Sequence, residues 1–534
     1  MGSIDVIDLT YALPGGRVLF RDASLRVGDG QHVALVGANG TGKTTLLRVI
    51  AGEEPPKEGH VRLDGRLGFM RQFIGAIPEA ETVRDLFVAL ARPEIKSAAR
   101  QLRAAESAAS GSTDAGAHMR YADALHGWGA VGGYGAETLW DTCCSSALGL
   151  RLHEVGHRPL ATLSGGEQKR VALEIFFRSD ADVLLLDEPD NFLDVDGKRW
   201  LEDMIDPSPK TILYVSHDRE LLARTSHRVV TLEANGVWVH PGSFATYHEA
   251  RDRRLEKIDE EHRRFREERD RLVAAMKEFK RRAALNDKFA TKARSMEKRI
   301  ERFEVVRAPR EKVSEQDIRM KLRGGRTGKI ALRVKGLSIR DIVRPFDTEI
   351  WYGERIGVLG PNGTGKSHFV RLLAGEAIEH VGEWKLGARV RPDLFSQLHD
   401  RPDLGDLPIA DILRKRGVEM GKAMAALRRY ELHGASTNGF GALSGGQQAR
   451  FQILLMEVEN PTMLLLDEPT DNLDVDSAEA LEYGLAGYEG TVIAVTHDRW
   501  FMRLLDRFLF FHADGRVEEL PESPYLDRPR RNGE

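Results

Sequence analysis

Two kinds of hydrophobic spacing divide this chain. Short unbroken apolar runs, Val33-Ala-Leu-Val36, Val183-Leu-Leu-Leu186 and Thr211-Ile-Leu-Tyr-Val215, return later as Ile356-Gly-Val-Leu359, Met463-Leu-Leu-Leu466 and Thr491-Val-Ile-Ala-Val495. Runs this short, without polar alternation, predict strands covered on both faces, as in a parallel sheet. Helical stretches are predicted between them, for example over 82–103 and 409–430. Between the two sets the spacing changes. Residues 247–307 contain neither Pro nor Gly, and Ile258, Phe265, Leu272 and Phe279 recur every seven residues. After Asn286-Asp287 the pattern resumes as Phe289, Ala293, Met296, Ile300 and Phe303. Two heptad seams separated by a short break predict an antiparallel helical hairpin. The expected class is therefore α/β, with two tandem parallel-sheet units joined by an α-helical hairpin. Boundaries are expected at 1–242, 243–325 and 326–520, with a short tail at 521–534.

The ends of the predicted strands carry the same chemistry twice. Gly37-Ala-Asn39-Gly40-Thr-Gly42-Lys43-Thr44 follows the first run, with Thr45 opening a helix, and Gly360-Pro-Asn362-Gly363-Thr-Gly365-Lys366-Ser367 repeats it. A glycine-rich turn ahead of a helix lets backbone N–H groups wrap phosphates. Lys43 and Lys366 then bring positive charge to the β- and γ-phosphates, and the Thr44 and Ser367 hydroxyls suit Mg²⁺. Asp187 and Asp467 end apolar strands and suit magnesium contact. Glu188 and Glu468, one residue on, can orient an attacking water. Leu163-Ser164-Gly165-Gly166 and Leu443-Ser444-Gly445-Gly446 precede these carboxylates, while Ser216-His217-Asp218 and Thr496-His497-Asp498 follow them. One glycine-rich loop arises by chance; two complete sets in the same order do not. The expected activity is hydrolysis of ATP, with Mg²⁺, to ADP and phosphate.

Composition narrows the setting. Two cysteines, the neighbours Cys143 and Cys144, exclude a disulfide framework and a four-thiolate metal site. No stretch approaches the roughly 18–20 apolar residues of a membrane span. Met1-Gly-Ser-Ile-Asp-Val6 runs straight into a strand pattern, so no export signal and a cytoplasmic location are expected. The formal charge of −4 hides an uneven spread, since residues 277–302 hold ten Lys and Arg against four Asp and Glu. The cations cluster at the predicted hairpin turn as Lys280, Arg281, Arg282, Lys288, Lys292 and Arg294. A protruding basic tip on an acidic chain suits salt-sensitive contact with RNA backbone rather than base stacking.

The Leu-Ser-Gly-Gly signature, the Asp-Glu-Pro box and the histidine after it together resemble the ATP-binding-cassette ATPases. Two such cassettes joined by a charged helical linker closely resemble the ABC-F family. The resemblance implies two tandem P-loop ABC ATPase domains that pair head to tail within one monomer. Site one would join Gly37–Thr44, Glu188 and His217 to Ser444, Gly445 and Gly446. Site two would join Gly360–Ser367, Glu468 and His497 to Ser164, Gly165 and Gly166. Gln72 and Gln397 fall where the family senses magnesium and water, and Tyr11 where it stacks an aromatic on adenine. The matching stretch Val334-Lys-Gly-Leu-Ser-Ile339-Arg340 has no aromatic, which leaves Ile339 or Arg340 to cover the base. Asp190 stands where the second cassette has Thr470. Asn191–Asp194 and Asn472–Asp474 match the loops through which the two sites communicate.

The same resemblance implies a 70S ribosome partner, met through 23S rRNA and the peptidyl-site tRNA. The ATP-closed form would enter the exit-tRNA site with its linker toward the peptidyl-transferase centre. Hydrolysis would release it, in translation regulation or in protection from antibiotics. Residues 73–162 are expected to hold only the usual helical subdomain, with little or no inserted arm. The alternative is the ATP-binding subunit of an importer, which needs a membrane partner and has no use for a basic hairpin; no transmembrane partner is expected.

Overall fold

The computed structural model describes residues 2–71, 80–283, 287–306, 318–396 and 404–526. Each cassette is built on a six-stranded sheet. In the first, the spatial order is Leu67–Met70, Val183–Asp187, Thr211–Val215, His32–Val36, Arg228–Glu233 and Gly236–His240. All neighbours are parallel except the last pair, which is antiparallel. The second cassette repeats the order with Pro392–Phe395, Met463–Asp467, Thr491–Val495, Arg355–Leu359, Arg507–Phe511 and Val517–Leu520. Val183–Asp187, Thr211–Val215 and their counterparts are buried at every residue, as their unbroken apolar runs require.

An antiparallel three-stranded sheet covers one face of each large sheet: Val18–Val27, Ser3–Ala12 and Glu58–Asp64 in the first, Val343–Trp351, Ile330–Ile339 and His380–Leu386 in the second. Helices cover the other face. The two helical stretches predicted as continuous are each broken. Val83–Leu90 gives way to Pro93–Ala109, with Pro93 at the first helical turn, and Ile409–Lys415 to Met420–Arg429 across Gly417 at φ +82°.

The expectation of a bare helical subdomain over 73–162 is corrected. Pro93–Ala109 and Ala115–Ala130 lie side by side as an added helical pair. Among the described residues, the α-helices of the second cassette between its edge strand and its signature are Ile409–Lys415 and Met420–Arg429, followed by two short 3-10 turns. Asp114 starts the second added helix by accepting from the N–H groups of Gly116 and Ala117. The polar residues 110–114 between the two helices carry no apolar spacing that marks an inserted pair. Trp128 and Trp140 pack at its base, 6.1 Å apart.

Between the cassettes, Tyr247–Ala283 and Asp287–Val306 form an antiparallel helical hairpin. The predicted seams meet: Phe265 stacks on Phe303 at 4.9 Å and Phe279 on Phe289 at 6.3 Å, while Leu272 and Ala293 are buried. A 37-residue helix at the usual rise reaches about 55 Å. Among the described residues, no helix is long and apolar enough to cross a membrane.

Candidate active sites

The sheet order decides where the chemistry meets. The strands Val183–Asp187, Thr211–Val215 and His32–Val36 are neighbours, so their carboxyl ends bring Asp187-Glu188, His217 and the Gly37–Lys43 loop to one edge. Crevices at that edge are the usual ligand sites of open parallel sheets. Gly37 holds φ +147° with the Leu232 carbonyl oxygen 2.7 Å from where a Cβ would sit, and Gly360 repeats this at φ +136° against the Phe511 carbonyl. No larger residue fits either place. Lys43 donates to the carbonyls of Gly37 (2.8 Å) and Ala38 (3.2 Å), and Lys366 to those of Gly360 (2.9 Å) and Pro361 (2.7 Å). Burial lowers both lysine pKa values, and carboxylates partly oppose it, including Asp474 for Lys43 and Asp194 for Lys366, each from the other cassette.

Glu188 and Glu468 occupy left-handed backbone positions at φ +48° and +47°. A non-glycine residue there costs of order 1–3 kcal/mol. Both are pinned by N–H donation, from Glu188 to the Val215 carbonyl (2.9 Å) and from Glu468 to that of Val495 (3.0 Å). His217 Nε2 lies 4.0 Å from the Glu188 carboxylate and His497 Nε2 3.4 Å from that of Glu468. Burial, aided by Lys43, pushes His217 down to about 3, and burial with Lys366 holds His497 well below the ordinary imidazole range. Both rings are therefore neutral at physiological pH. Asn191 donates to Glu188 (2.5 Å), whereas the corresponding Asp471 adds a negative charge beside Glu468.

The magnesium candidates fit such an ion. Both carboxylate oxygens of Asp187 are buried without a hydrogen-bond partner among the described residues, and Ser367 donates to Asp467 at 2.9 Å. An orphaned carboxylate beside a hydroxyl is a hard-oxygen donor set for a small divalent cation. Gln72 and Gln397 lie outside the described residues.

The cassettes meet head to tail. Asn39 donates through its backbone N–H to Asp474 (2.8 Å) and through its side chain to the Asn472 carbonyl (3.1 Å). Asn362 does the same toward Asp194 (3.4 Å) and the Phe192 carbonyl (3.2 Å). Each glycine-rich loop thus faces the other cassette's signature. Gly166 lies against Asn362 and Gly446 against Asn39. Ser164 caps the helix Gly165–Arg178 and Ser444 the helix Gly445–Glu459, in capping boxes with Glu167 and Gln447. The electropositive first turns of these helices suit phosphate. Ser164, Gly165, Gly166, Lys366, Ser367 and Glu468 line one cavity of about 380 Å³. The cavity beside Gly37, Asn39 and Asp474 is larger, about 1640 Å³, and opens along the start of the linker at Arg253, Arg254 and Lys257.

Buried ion pairs that the sequence reading missed hold the interface. Arg499 binds Glu202, and Arg219 binds Glu482 (3.0 Å through Nη1) and Asp498 (3.2 Å). Their signal was available: an arginine follows the His-Asp pair in both cassettes, and a glutamate lies eight residues after Asp194 and Asp474 alike. The linker root joins both cassettes too, since Arg254 pairs with Glu233 and Arg251 with Asp476 (3.0 Å).

Tyr11 packs its half-buried ring on Phe20 and bonds Glu54, on the sheet beside the first loop. In the second cassette Ile339 is fully buried and has no face to offer a base, whereas Arg340 and Ile342 are exposed. At the hairpin tip, Lys280 pairs with Glu297 (2.5 Å), and Arg281 (2.9 Å) and Arg282 (2.7 Å) share Glu278. Lys292 lies 5.5 Å from the Phe289 ring centre and Arg294 is exposed. The Lys288 side chain lies outside what is described.

Comparison with known proteins agrees with this arrangement. The sequence profile of the ABC transporter family matches residues 20–191 and 343–471, and an extension profile of the same description matches 230–320. An antibiotic resistance protein of Mycobacteroides abscessus is 47% identical over 98% of this chain and 100% of its own length. The tylosin resistance ATP-binding protein TlrC of Streptomyces fradiae is 31% identical over 94% of this chain and 95% of its own. A solved RNase-L inhibitor shares the fold at TM-score 0.57 and 20% identity, covering 96% of this chain and 90% of that one. With its tandem cassettes and paired, complete motifs, the chain is an ATPase and belongs to the ABC-F family of ATP-binding-cassette proteins.

Proposed function

We propose that this ATPase acts on the ribosome from the cytoplasm as a monomer, protecting it from antibiotics or regulating translation. In this reading residues 1–242 and 326–520 are the two cassettes, 243–325 is the linker and 521–534 a tail. The observation that carries it is a long, basic-tipped hairpin rooted on both cassettes at the interface that ATP would close. Arg251 on the hairpin root pairs with Asp476 of the second cassette, so in this reading the nucleotide state would set the direction in which the hairpin points. The full-length likeness to an antibiotic resistance protein and to a tylosin resistance protein supports the resistance branch. A fold shared with a ribosome-bound ABCE1 agrees with a ribosomal partner. The closed form would occupy the exit-tRNA site, with Lys280, Arg281, Arg282, Lys288, Lys292 and Arg294 near 23S rRNA and the peptidyl-site tRNA.

At each site the glycine-rich loop and its lysine hold the phosphates, and the opposite signature helix presents its N-terminus to them. Glu188 and Glu468 orient the attacking water, and the neutral His217 and His497 hold the γ-phosphate side of the site. Thr44, Ser367, Asp187 and Asp467, with Gln72 and Gln397, would hold Mg²⁺, whose charge offsets that developing on the phosphate oxygens. Tyr11 would cover adenine in site one. The test is co-sedimentation of Glu188→Gln/Glu468→Gln protein with 70S ribosomes. ATP-dependent pelleting supports the reading, and protein that stays in the supernatant with ATP refutes it.

A further inference from the structure

The two sites differ at a buried cation. Lys198, on the helix Val195–Ile205, points into the interface, pairs with Asp218 at 2.9 Å and donates to the His497 carbonyl of the other cassette at 3.4 Å. Asp190 is buried with it, and all three line the cavity that holds Lys366, Glu468, Asp471 and His497. Lys198 thus faces Glu468 and Asp471 across the interface in a single cavity. The corresponding places in the second cassette hold Thr470 for Asp190 and Ala478 for Lys198, so the second cassette supplies no such cation to site one, whose buried lysine, Lys169, belongs to its own cassette and faces Glu188 and Asp187. Site one also has Asn191 where site two has Asp471. Asp190, Asp218 and Asp471 therefore surround the buried Lys198 in one cluster, and it borders one site.

We propose that Lys198 is a positioning residue of the second ATP site, supplied by the first cassette. It holds the backbone that carries His497 and offsets Asp471 beside Glu468. Site two then takes a lysine from the opposite cassette in addition to its signature helix, whereas site one takes the signature helix without one. A lysine bound to a backbone carbonyl and a carboxylate fixes both ends of the contact, and removing it leaves buried acceptors unpaired. The proposal rests on the assignment of Glu468 and His497 to site two.

The test is single-turnover hydrolysis, in which a site fires once even where the other stays closed. Glu188→Gln protein reports site two and Glu468→Gln protein reports site one. Lys198→Ala should lower the ratio of site-two to site-one rate by about tenfold, the scale expected when a reacting group is displaced by a fraction of an ångström. Lys198→Arg should restore most of it. Asp190→Thr/Lys198→Ala, which installs the second cassette's pair, should recover melting temperature without recovering the ratio. Equal slowing in both backgrounds, or a ratio restored by the double change, overturns the proposal and leaves charge balance as the role of Lys198. Hydrolysis that persists at the full rate in Glu188→Gln/Glu468→Gln protein overturns the site assignment instead.

Discussion

Glu202→Gln isolates the contribution of the interface ion pairs. Arg499 is 2% exposed and Glu202 5% exposed in the closed arrangement. Without the Glu202 charge, the carboxylate left within 4 Å of Arg499 among the described residues is Asp218 at 3.8 Å, and that group already pairs with Lys198 at 2.9 Å. Breaking one partner of a buried pair costs about 3–5 kcal/mol. Glutamine keeps one acceptor oxygen, so the low end applies. Opening the cassettes returns Arg499 to water, so the cost falls on the closed state alone. About 3 kcal/mol corresponds to roughly a 150-fold shift in the closing equilibrium. The assay is ATP titration of closure in Glu188→Gln/Glu468→Gln protein, read by energy transfer between dyes on the two cassettes. Two ATP molecules bind at this interface, so the ATP midpoint should rise by about the square root of that factor, roughly twelvefold. Glu482→Gln, the counterpart, should shift it by only about threefold, because Glu482 is 19% exposed and Arg219 keeps Asp498 at 3.2 Å. Replacing both Glu202 and Arg499 by Met should return the midpoint close to its starting value, as apolar replacements of buried pairs do. A Glu202→Gln midpoint moved by less than about threefold would refute the reasoning, since it would mean that the pair contributes nothing to closure.

Four further outcomes follow from particular contacts. Tyr11→Ala should raise the ATP KM of Glu468→Gln protein several-fold while Tyr11→Phe does not, because the ring and not its bond to Glu54 would meet the base; equal effects of the two changes count against stacking. Glu278→Gln/Glu297→Gln frees Lys280, Arg281 and Arg282 from their partners, so ribosome binding should tighten and its salt dependence steepen; a flat response removes the tip from the contact. Asp187→Asn should raise the Mg²⁺ concentration needed for half-maximal hydrolysis in Glu468→Gln protein, an effect absent if the carboxylate does not meet the ion. Trp140→Ala removes a ring that is 2% exposed and stacked on Phe87, and should cost the first cassette about 3–5 kcal/mol in urea unfolding.

The sheets and the site residues were legible because they are local demands on the backbone. An unbroken apolar run such as Val183-Leu-Leu-Leu186 has no exposed face to offer, and it appears as a fully buried central strand. The linker seams were equally readable, down to Phe265 meeting Phe303, since a seven-residue period leaves few registers. The added pair Pro93–Ala109 and Ala115–Ala130 escaped notice because its polar faces look like any subdomain surface. Ile339 as a cover for the base failed on orientation, since the strand turns that side chain into the core.

By itself, the sequence determined the two cassettes, their loops, carboxylates and histidines, and the hairpin between them. Each depends on residues within a few positions of one another: a glycine that reaches positive φ, a serine that caps a helix, a heptad seam. Only the tertiary structure decided how the cassettes meet and what secures them. Arg219 and Glu482 are 263 residues apart and Arg499 and Glu202 are 297 apart. No local rule relates such pairs, and they become partners only when two folded surfaces close. The same closure brings Lys198 to His497, a contact that the corresponding Ala478 has no group to make.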